Sequence, residues 1–405
     1  MNWRRTLGIL WASNFFCAAG FSMVIPFLPL YIEELGIRQL HEIELWSGWV
    51  FSITFITAVI FQPIWGRLAD KQGRKINLIR SGMGLGVITG LMGAVGSVWQ
   101  LLILRLFNGI FCGFIAMSIS LQASITPNEH TGSALGTLQT GSIAGNLVGP
   151  LLGGVLVEAF GPRICFYLTG GLLLIASSII MIFVHEEPHQ PKVEVVPSIK
   201  GEFGQLKPLF PIFIATTIAQ VGMMSIEPIV SIYAKTLYTG PHLFTVAGLV
   251  VAVSGIANLI GAPTLGRLGD RIGQRKVLIL SLCAAACMYI PQALAGSIAV
   301  LLVGRFLLGL FLGGMLPSLN VLVKLKAPKE LQAMAFGFNS SSVFLGNLIG
   351  PLIGSSIAAF YDIKSVFYVT MTLLLINAVL IYFHRELDTE SHTIDCCKGH
   401  HVNVS

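Results

Sequence analysis

The chain has 405 residues, 54% of them hydrophobic and only 11% charged, and its 25 lysines and arginines exceed its 19 acids to give a net charge of +6. Soluble domains carry roughly 25% charged residues, so this composition excludes a solvated globular surface. The basic residues stand at the ends of apolar segments without forming a stripe or groove, so no nucleic-acid partner is expected and the charge reads as a topology signal.

The first apolar segment, 6–31, follows Arg4 and Arg5 but runs longer than a secretory h-region and continues into Glu33 and Glu34 without a small-residue cleavage pattern, so it reads as a retained helix. It carries Asn14, Phe16 and Pro26. Further segments cover 45–69, 76–94, 99–121, 133–160 and 164–184, and a second six cover 209–234, 244–268, 277–294, 297–323, 333–360 and 366–383. Each is long enough to cross a hydrocarbon core about 30 Å thick as a helix rising about 1.5 Å per residue. The expected fold is therefore all-α, with twelve transmembrane helices in a lipid bilayer. Loops on one side hold Arg67, Lys71, Arg74, Lys75, Lys192, Lys200, Lys207, Arg267, Arg271, Arg275 and Lys276, whereas the other side holds only Arg38, Arg163, Lys235 and Lys364. The positive-inside rule then places both termini in the cytoplasm.

After the second segment the chain reads Gly66-Arg67-Leu68-Ala69-Asp70-Lys71-Gln72-Gly73-Arg74-Lys75. The glycines permit a tight turn at the membrane face, and Asp70 can meet neighbouring guanidinium groups and a positive helix N-terminus. This is either a latch joining two parts of the molecule in one state or an anchor of cytoplasmic charges. The fourth segment carries Arg105 early in its length, and Asn108. The fifth carries Gly136, Gln139, Gly145, Asn146, Gly149-Pro150 and Gly153-Gly154; glycines four apart let a neighbouring backbone approach, and proline frees a carbonyl.

Between His185 and Pro208 apolarity gives way to Pro188, Pro191, Pro197 and several lysines and glutamates. We expect bundles at 1–185 and 209–385, a cytoplasmic linker at 186–208 and a cytoplasmic tail at 386–405. The seventh segment carries Gln220, Met223 and Glu227-Pro228. After the eighth comes a second copy of the loop, with Asp270 in place but Gln274 where the first copy has Arg74, so its latch should be weaker. The tenth segment buries Arg305, and the eleventh holds Gly337, Asn339, Gly346, Asn347, Gly350-Pro351 and Gly354. An offset of 200 carries Gly66, Asp70, Gly73, Arg105 and Gly109 onto Gly266, Asp270, Gly273, Arg305 and Gly309. Offsets of 201 and 202 carry Gly149-Pro150 onto Gly350-Pro351 and Tyr31 onto Tyr233. So constant a shift marks two pseudo-symmetric six-helix halves.

Cys17, Cys112, Cys165, Cys283 and Cys287 lie within apolar segments, where thiols act as small hydrophobes. The tail holds His392, Cys396, Cys397, His400 and His401, residue types that can bind a metal, but no folded spacing supports a closed site; no metal and no cofactor is expected. No phosphate loop of the form G-x-x-x-x-G-K-[ST] occurs, and no nucleophile has an evident base, so an enzyme is not expected.

The loop at 66–75 resembles the G-x-L-A-D-[RK]-x-G-R-[RK] motif of the major facilitator superfamily. The fifth segment resembles the antiporter motif G-x8-G-x3-G-P-x2-G-G of its twelve-span drug:proton branch. The stretches 23–31 and 45–55 resemble one multidrug-exporter type within that branch. Arg105 resembles the arginine of its R-x-x-Q-G motif, with Asn108 replacing glutamine. The resemblance implies alternating access about a cavity lined by spans one, four, seven and ten. It further implies a multi-pass protein of the bacterial inner membrane, functional as a monomer, that exchanges protons for drugs or other amphipathic small molecules. A dedicated exporter of one endogenous metabolite or metal chelator is the alternative. An ionisable group within the bilayer costs about 2.5 to 3.5 kcal/mol on the insertion scale. This makes Glu227, Arg105 and Arg305, all roughly 10 Å deep by residue count, the candidates for proton coupling; the alternative for Glu227 is that it pairs with an arginine and closes the outer gate. Asn14, Phe16, Phe55, Asn108, Gln139, Asn146, Gln220, Met223, Asn339 and Asn347 are candidates for the cavity wall. Gly66, Asp70, Gly73, Arg74 and Asp270 are assigned to the latch, and Gly145, Gly149, Pro150, Gly153, Gly346, Gly350 and Pro351 to the glycine seam.

Overall fold

Hydrocarbon offers no water to backbone N–H and C=O groups, so a spanning segment must satisfy them internally. In the computed structural model each apolar segment does so as helix. The structure describes residues 3–184, 186, 203–328 and 331–384, the side chains at 67, 70, 71, 128, 203–205 and 333 excepted. Most of the linker, and the tail with its histidines and cysteines, lie outside the described residues, as does the side chain of Asp70.

The helices are α1 (Trp3–Val24), α2 (Leu28–Glu34), α3 (Leu40–Gln72), α4 (Arg74–Met92), α5 (Val98–Ile110), α6 (Phe114–Ile125), α7 (Thr131–Phe160) and α8 (Arg163–Phe183). After the linker come α9 (Phe210–Met224), α10 (Val230–Leu237), α11 (Leu243–Ile272), α12 (Gln274–Ala293), α13 (Ile298–Lys326), α14 (Gln332–Phe360) and α15 (Ile363–Phe383). They make twelve crossings, because three crossings are broken. The first changes to a 3-10 turn at Ile25–Phe27, where Pro26 has no N–H to give the helix. The seventh unwinds between α9 and α10 around Glu227-Pro228. The fourth breaks before Gly113, whose φ of +117° suits glycine. The tenth, its counterpart, runs unbroken as α13. Eleven crossings among the described residues are long and apolar enough to span by length and composition alone. The remaining one, α4, has 19 residues and carries Arg74, Lys75 and Arg80 near its start; it packs against α8, α5 and α6.

Duplicated residues do matching work. Tyr31 donates from its hydroxyl to the Met92 carbonyl at 2.8 Å and Tyr233 to the Gln292 carbonyl at 2.9 Å. Their rings lie 4.9 Å from Phe166 and 5.2 Å from Phe367. Ser97 caps α5 by accepting from the Gln100 amide, and Ser297 caps α13 by accepting from Val300. Gly73 and Gly273 turn the chain at φ +99° and +97°. Gly109 lies against the Thr54 carbonyl and Gly309 against the Ser254 carbonyl, with no room for a Cβ at either.

The helices on either side of the linker meet along three lines: α3 with α14, α7 with α11, and α2 with α10. We call the end bearing Arg4, Arg5, Arg74, Lys75, Lys324 and Lys326 the basic face, and the end bearing Glu33, Arg163, Lys235 and Lys364 the far face.

A candidate cavity beneath a far-face seal

The glycine seams fix the walls. On α7, Gly145 and Gly149 lie against the carbonyls of Phe15 and Ala19 of α1, and Gly153 against Met23. On α14, Gly346, Gly350 and Gly354 lie in the same way against Thr217, Val221 and Ser225 along α9. A Cβ at any of these positions would run into main chain or a packed side chain, so the repeated glycine spacing is a requirement of helix contact. The motif's first glycines differ: Gly136 and Gly337, near the basic face, meet open space, as do Gly66 and Gly266.

The far face is sealed by two equivalent contacts. Gly48 of α3 lies against Ser355 and the Pro351 carbonyl of α14, and Gly248 of α11 lies against the Pro150 carbonyl of α7. Phe27 and Phe244 add a ring contact at 6.3 Å. Glu33 and Lys235 pair at 2.7 Å across α2 and α10, and the Glu158 carboxylate accepts from the Phe244 amide at 3.1 Å. The sequence reading missed Gly48, Gly248, Glu33, Lys235 and Glu158, although the offset of 200 relates the two glycines.

Below this seal lies a cavity of about 540 Å³ whose wall includes Phe21, Phe51, Phe55, Gln62, Arg105, Asn108, Gln139 and Phe344. Phe55 and Phe344, 6.5 Å apart, bring α3 and α14 together at its wall. Of the expected wall residues, Phe55, Asn108 and Gln139 are therefore at this cavity. The others are placed elsewhere, for physical reasons. A buried amide between helices must find a partner: Asn339 accepts from Thr216 and donates to Asn320, each at 2.8 Å, and Gln220 donates to Asn347 at 2.7 Å. Asn14 is the exception: it is wholly buried, and among the described residues neither of its side-chain polar atoms has a partner. Phe16 is exposed beside Phe15, Asn146 is exposed and Met223 half-buried.

The three ionisable candidates do not form one cluster. Glu227 is half-buried in the turn between α9 and α10, and Arg305 is the charge that acts on it; Tyr289, absent from the sequence reading, stands in the field of both. Arg105 lines the cavity instead and is not among the charges that act on Glu227, and its carbonyl accepts from Thr54 at 3.0 Å. Equal depth along two helices does not place two side chains on the same side of the cavity. Arg105 and Arg305 are 7% and 3% exposed, and among the described residues Nε and Nη2 of each have no partner.

At the basic face, Arg74 donates from Nη1 to the Ser120 carbonyl at 3.0 Å. Its amide and that of Lys75, orphan donors at the start of α4, both donate to the Glu186 carboxylate, at 3.0 and 2.8 Å. Glu186 was not singled out from the sequence. In the second copy Gln274 donates to Asp270 at 3.1 Å and accepts from Ser318, an uncharged bridge in place of the arginine contact. Among the described residues no group of three or more His, Cys, Asp or Glu is placed to hold a metal ion.

The chain matches the family description of the Major Facilitator Superfamily over residues 10–210 and 212–395. It is 40% identical over 388 residues to multidrug resistance protein MdtG of Enterobacter lignolyticus, covering 94% of this chain and 92% of that one. It is 39% identical over 383 residues to MdtG of Serratia proteamaculans, covering 94% and 93%. Among solved structures, the nucleoside transporter NupG superposes with a TM-score of 0.79 at 15% identity, over 95% of this chain and 99% of that one. A bacterial homologue of the human lysosomal transporter Spinster, inward-facing and unoccupied, gives 0.77 at 13% identity, over 95% and 97%. These two likenesses show a shared fold.

Proposed function

Because this chain belongs to the Major Facilitator Superfamily, we propose that it is a proton-driven exporter of drugs and other amphipathic small molecules. In this reading its two six-helix halves, 1–185 and 209–385, rock about the central cavity as one functional monomer. Its near relatives carry the name multidrug resistance protein. The observation that carries the reading is the pairing of a far-face seal between the halves with an aromatic cavity beneath it. Parting the Gly48 and Gly248 contacts while the basic face closes would present the same cavity to the other side, which is alternating access.

Phenyl rings suit varied apolar bodies, and the unpartnered Nε and Nη2 of Arg105 offer donors to a polar end. Glu227, beside Arg305, exchanges the proton, and the loop at Asp70 latches the basic face in the opposite state. Under the positive-inside rule the basic face and both termini are cytoplasmic, in the inner membrane of a bacterium. One charge falling through about 100 mV releases about 2.3 kcal/mol, enough to drive uphill export.

Vesicles of purified protein with an imposed pH gradient test this when proton and drug movement are followed together. Wild type should move an amphipathic drug against proton flow; Glu227→Gln should lose the coupling, and Asp70→Asn should slow turnover. Failure of the wild type to move any solute would refute the reading.

A further inference from the structure

One helical turn before Gly48, on the same face of α3 by the four-residue repeat, stands Glu44. It is 2% exposed. Among the described residues no hydrogen bond or ion pair reaches its carboxyl. At the position 200 residues on, the other seam carries Phe244, whose ring packs near Phe27. One half of the far-face seal thus holds an acid where the other half holds an apolar ring. Glu44 lines a cleft of about 520 Å³ at the far face, together with residues of α10, the end of α14 and the turn into α15.

Some of the charged and titratable groups around it are committed elsewhere, while His41 and Lys364 share its cleft with no hydrogen bond or ion pair to it among the described residues. On α3 itself His41 and Glu42 precede it. The α2 helix brings Glu33, paired with Lys235 of α10, and Glu34. Tyr233 of α10 has its hydroxyl committed to the Gln292 carbonyl. The turn into α15 brings Tyr361, Lys364 and Asp362, whose carboxylate accepts from the Ser365 amide at 2.6 Å. At this level α4, α5 and α14 bring no acid or base.

Packed at the edge of the cleft and 2% exposed, with no partner among the described residues, the carboxyl is better accommodated as the neutral acid than as the carboxylate. When α3 and α14 part, the same group becomes more fully hydrated. We propose that Glu44 is a proton-binding site built into the far-face seal, taking a proton from water of the cleft as the α3–α14 seam closes and returning it as the seam opens. An acidic far side thereby resets the empty carrier to the state open at the basic face. This rests on the alternating-access reading above.

Spin labels at positions 39 and 360, both exposed at the far face, report the seam in drug-free protein in lipid nanodiscs between about pH 5 and pH 9. In wild type the long-distance population should grow as pH rises. Glu44→Gln, permanently neutral, should stay short throughout. Glu44→Asp should keep the pH response with a displaced midpoint, which a folding defect would not produce. A Glu44→Gln protein that opens with the wild-type profile overturns the proposal, as does a Glu44→Asp midpoint equal to that of wild type. Distances that respond to added drug but not to pH would sink Glu44 alone; distances that respond to neither would sink alternating access as well.

Discussion

Gly248→Ala should open the far face. The added Cβ would overlap the Pro150 carbonyl oxygen and lie against its carbon, and a main-chain carbonyl inside α7 cannot swing aside as a flexible side chain can. Overpacking of this kind costs about 1 to 3 kcal/mol. The cost falls only on the sealed state, since the contact is lost when α7 and α11 separate. At about 1.4 kcal/mol per tenfold, the ratio of open to sealed carriers rises roughly 5- to 150-fold. The reporter is Ser52→Cys, on the second seam, two turns below Glu44 on the same face of α3 and 1% exposed. Its labelling by a membrane-impermeant maleimide from the far side, with the reactive native cysteines replaced, should accelerate by that factor. Gly90→Ala, where a Cβ meets nothing within 4 Å, should leave the rate unchanged. Unchanged labelling in an inserted Gly248→Ala protein would refute the idea that the two seams open as one.

Tyr31→Phe removes a buried donor and leaves the Met92 carbonyl unsatisfied; we expect a loss of about 1 to 3 kcal/mol, read by denaturation in detergent, and a loss under about 0.5 kcal/mol would contradict the role given to this bond. Asp362, outside the spans, is held below the usual carboxylate range by hydrogen bonds from the Ser365 side chain and amide. A depressed folded value contributes stability in full above the unfolded value, and that stability is lost as pH falls through the folded one. Asp362→Asn should therefore flatten the acid limb of the stability curve, and an unchanged acid limb would show that this carboxylate is not the group responsible.

Length and apolarity carried the twelve crossings, because a segment that must close its own backbone bonds announces itself residue by residue. The glycine spacings on α7 and α14 were legible for the same reason: a missing Cβ at every fourth position has few other uses. Azimuth was not legible. Depth counting put Arg105 level with Arg305 and Glu227, yet only Arg305 acts on Glu227, since position along an axis says nothing of the direction faced. Amides such as Asn339 and Gln220, read as wall candidates, each bond to a partner more than a hundred residues away. Glu44 and Glu186 escaped because a single acid near a helix end resembles an ordinary solvated charge until its burial or its two amide partners are seen.

Reciprocal accessibility tests the central claim most directly. Cysteines placed singly at Gln139, on the cavity wall and exposed, and at Ser52, sealed at the far face, are labelled from their own sides while a pH gradient and drug drive turnover. Labelling at position 139 should fall as labelling at position 52 rises. Rates that rise together, or a position 52 that stays closed while drug is moving, would contradict a single cavity offered alternately to the two faces.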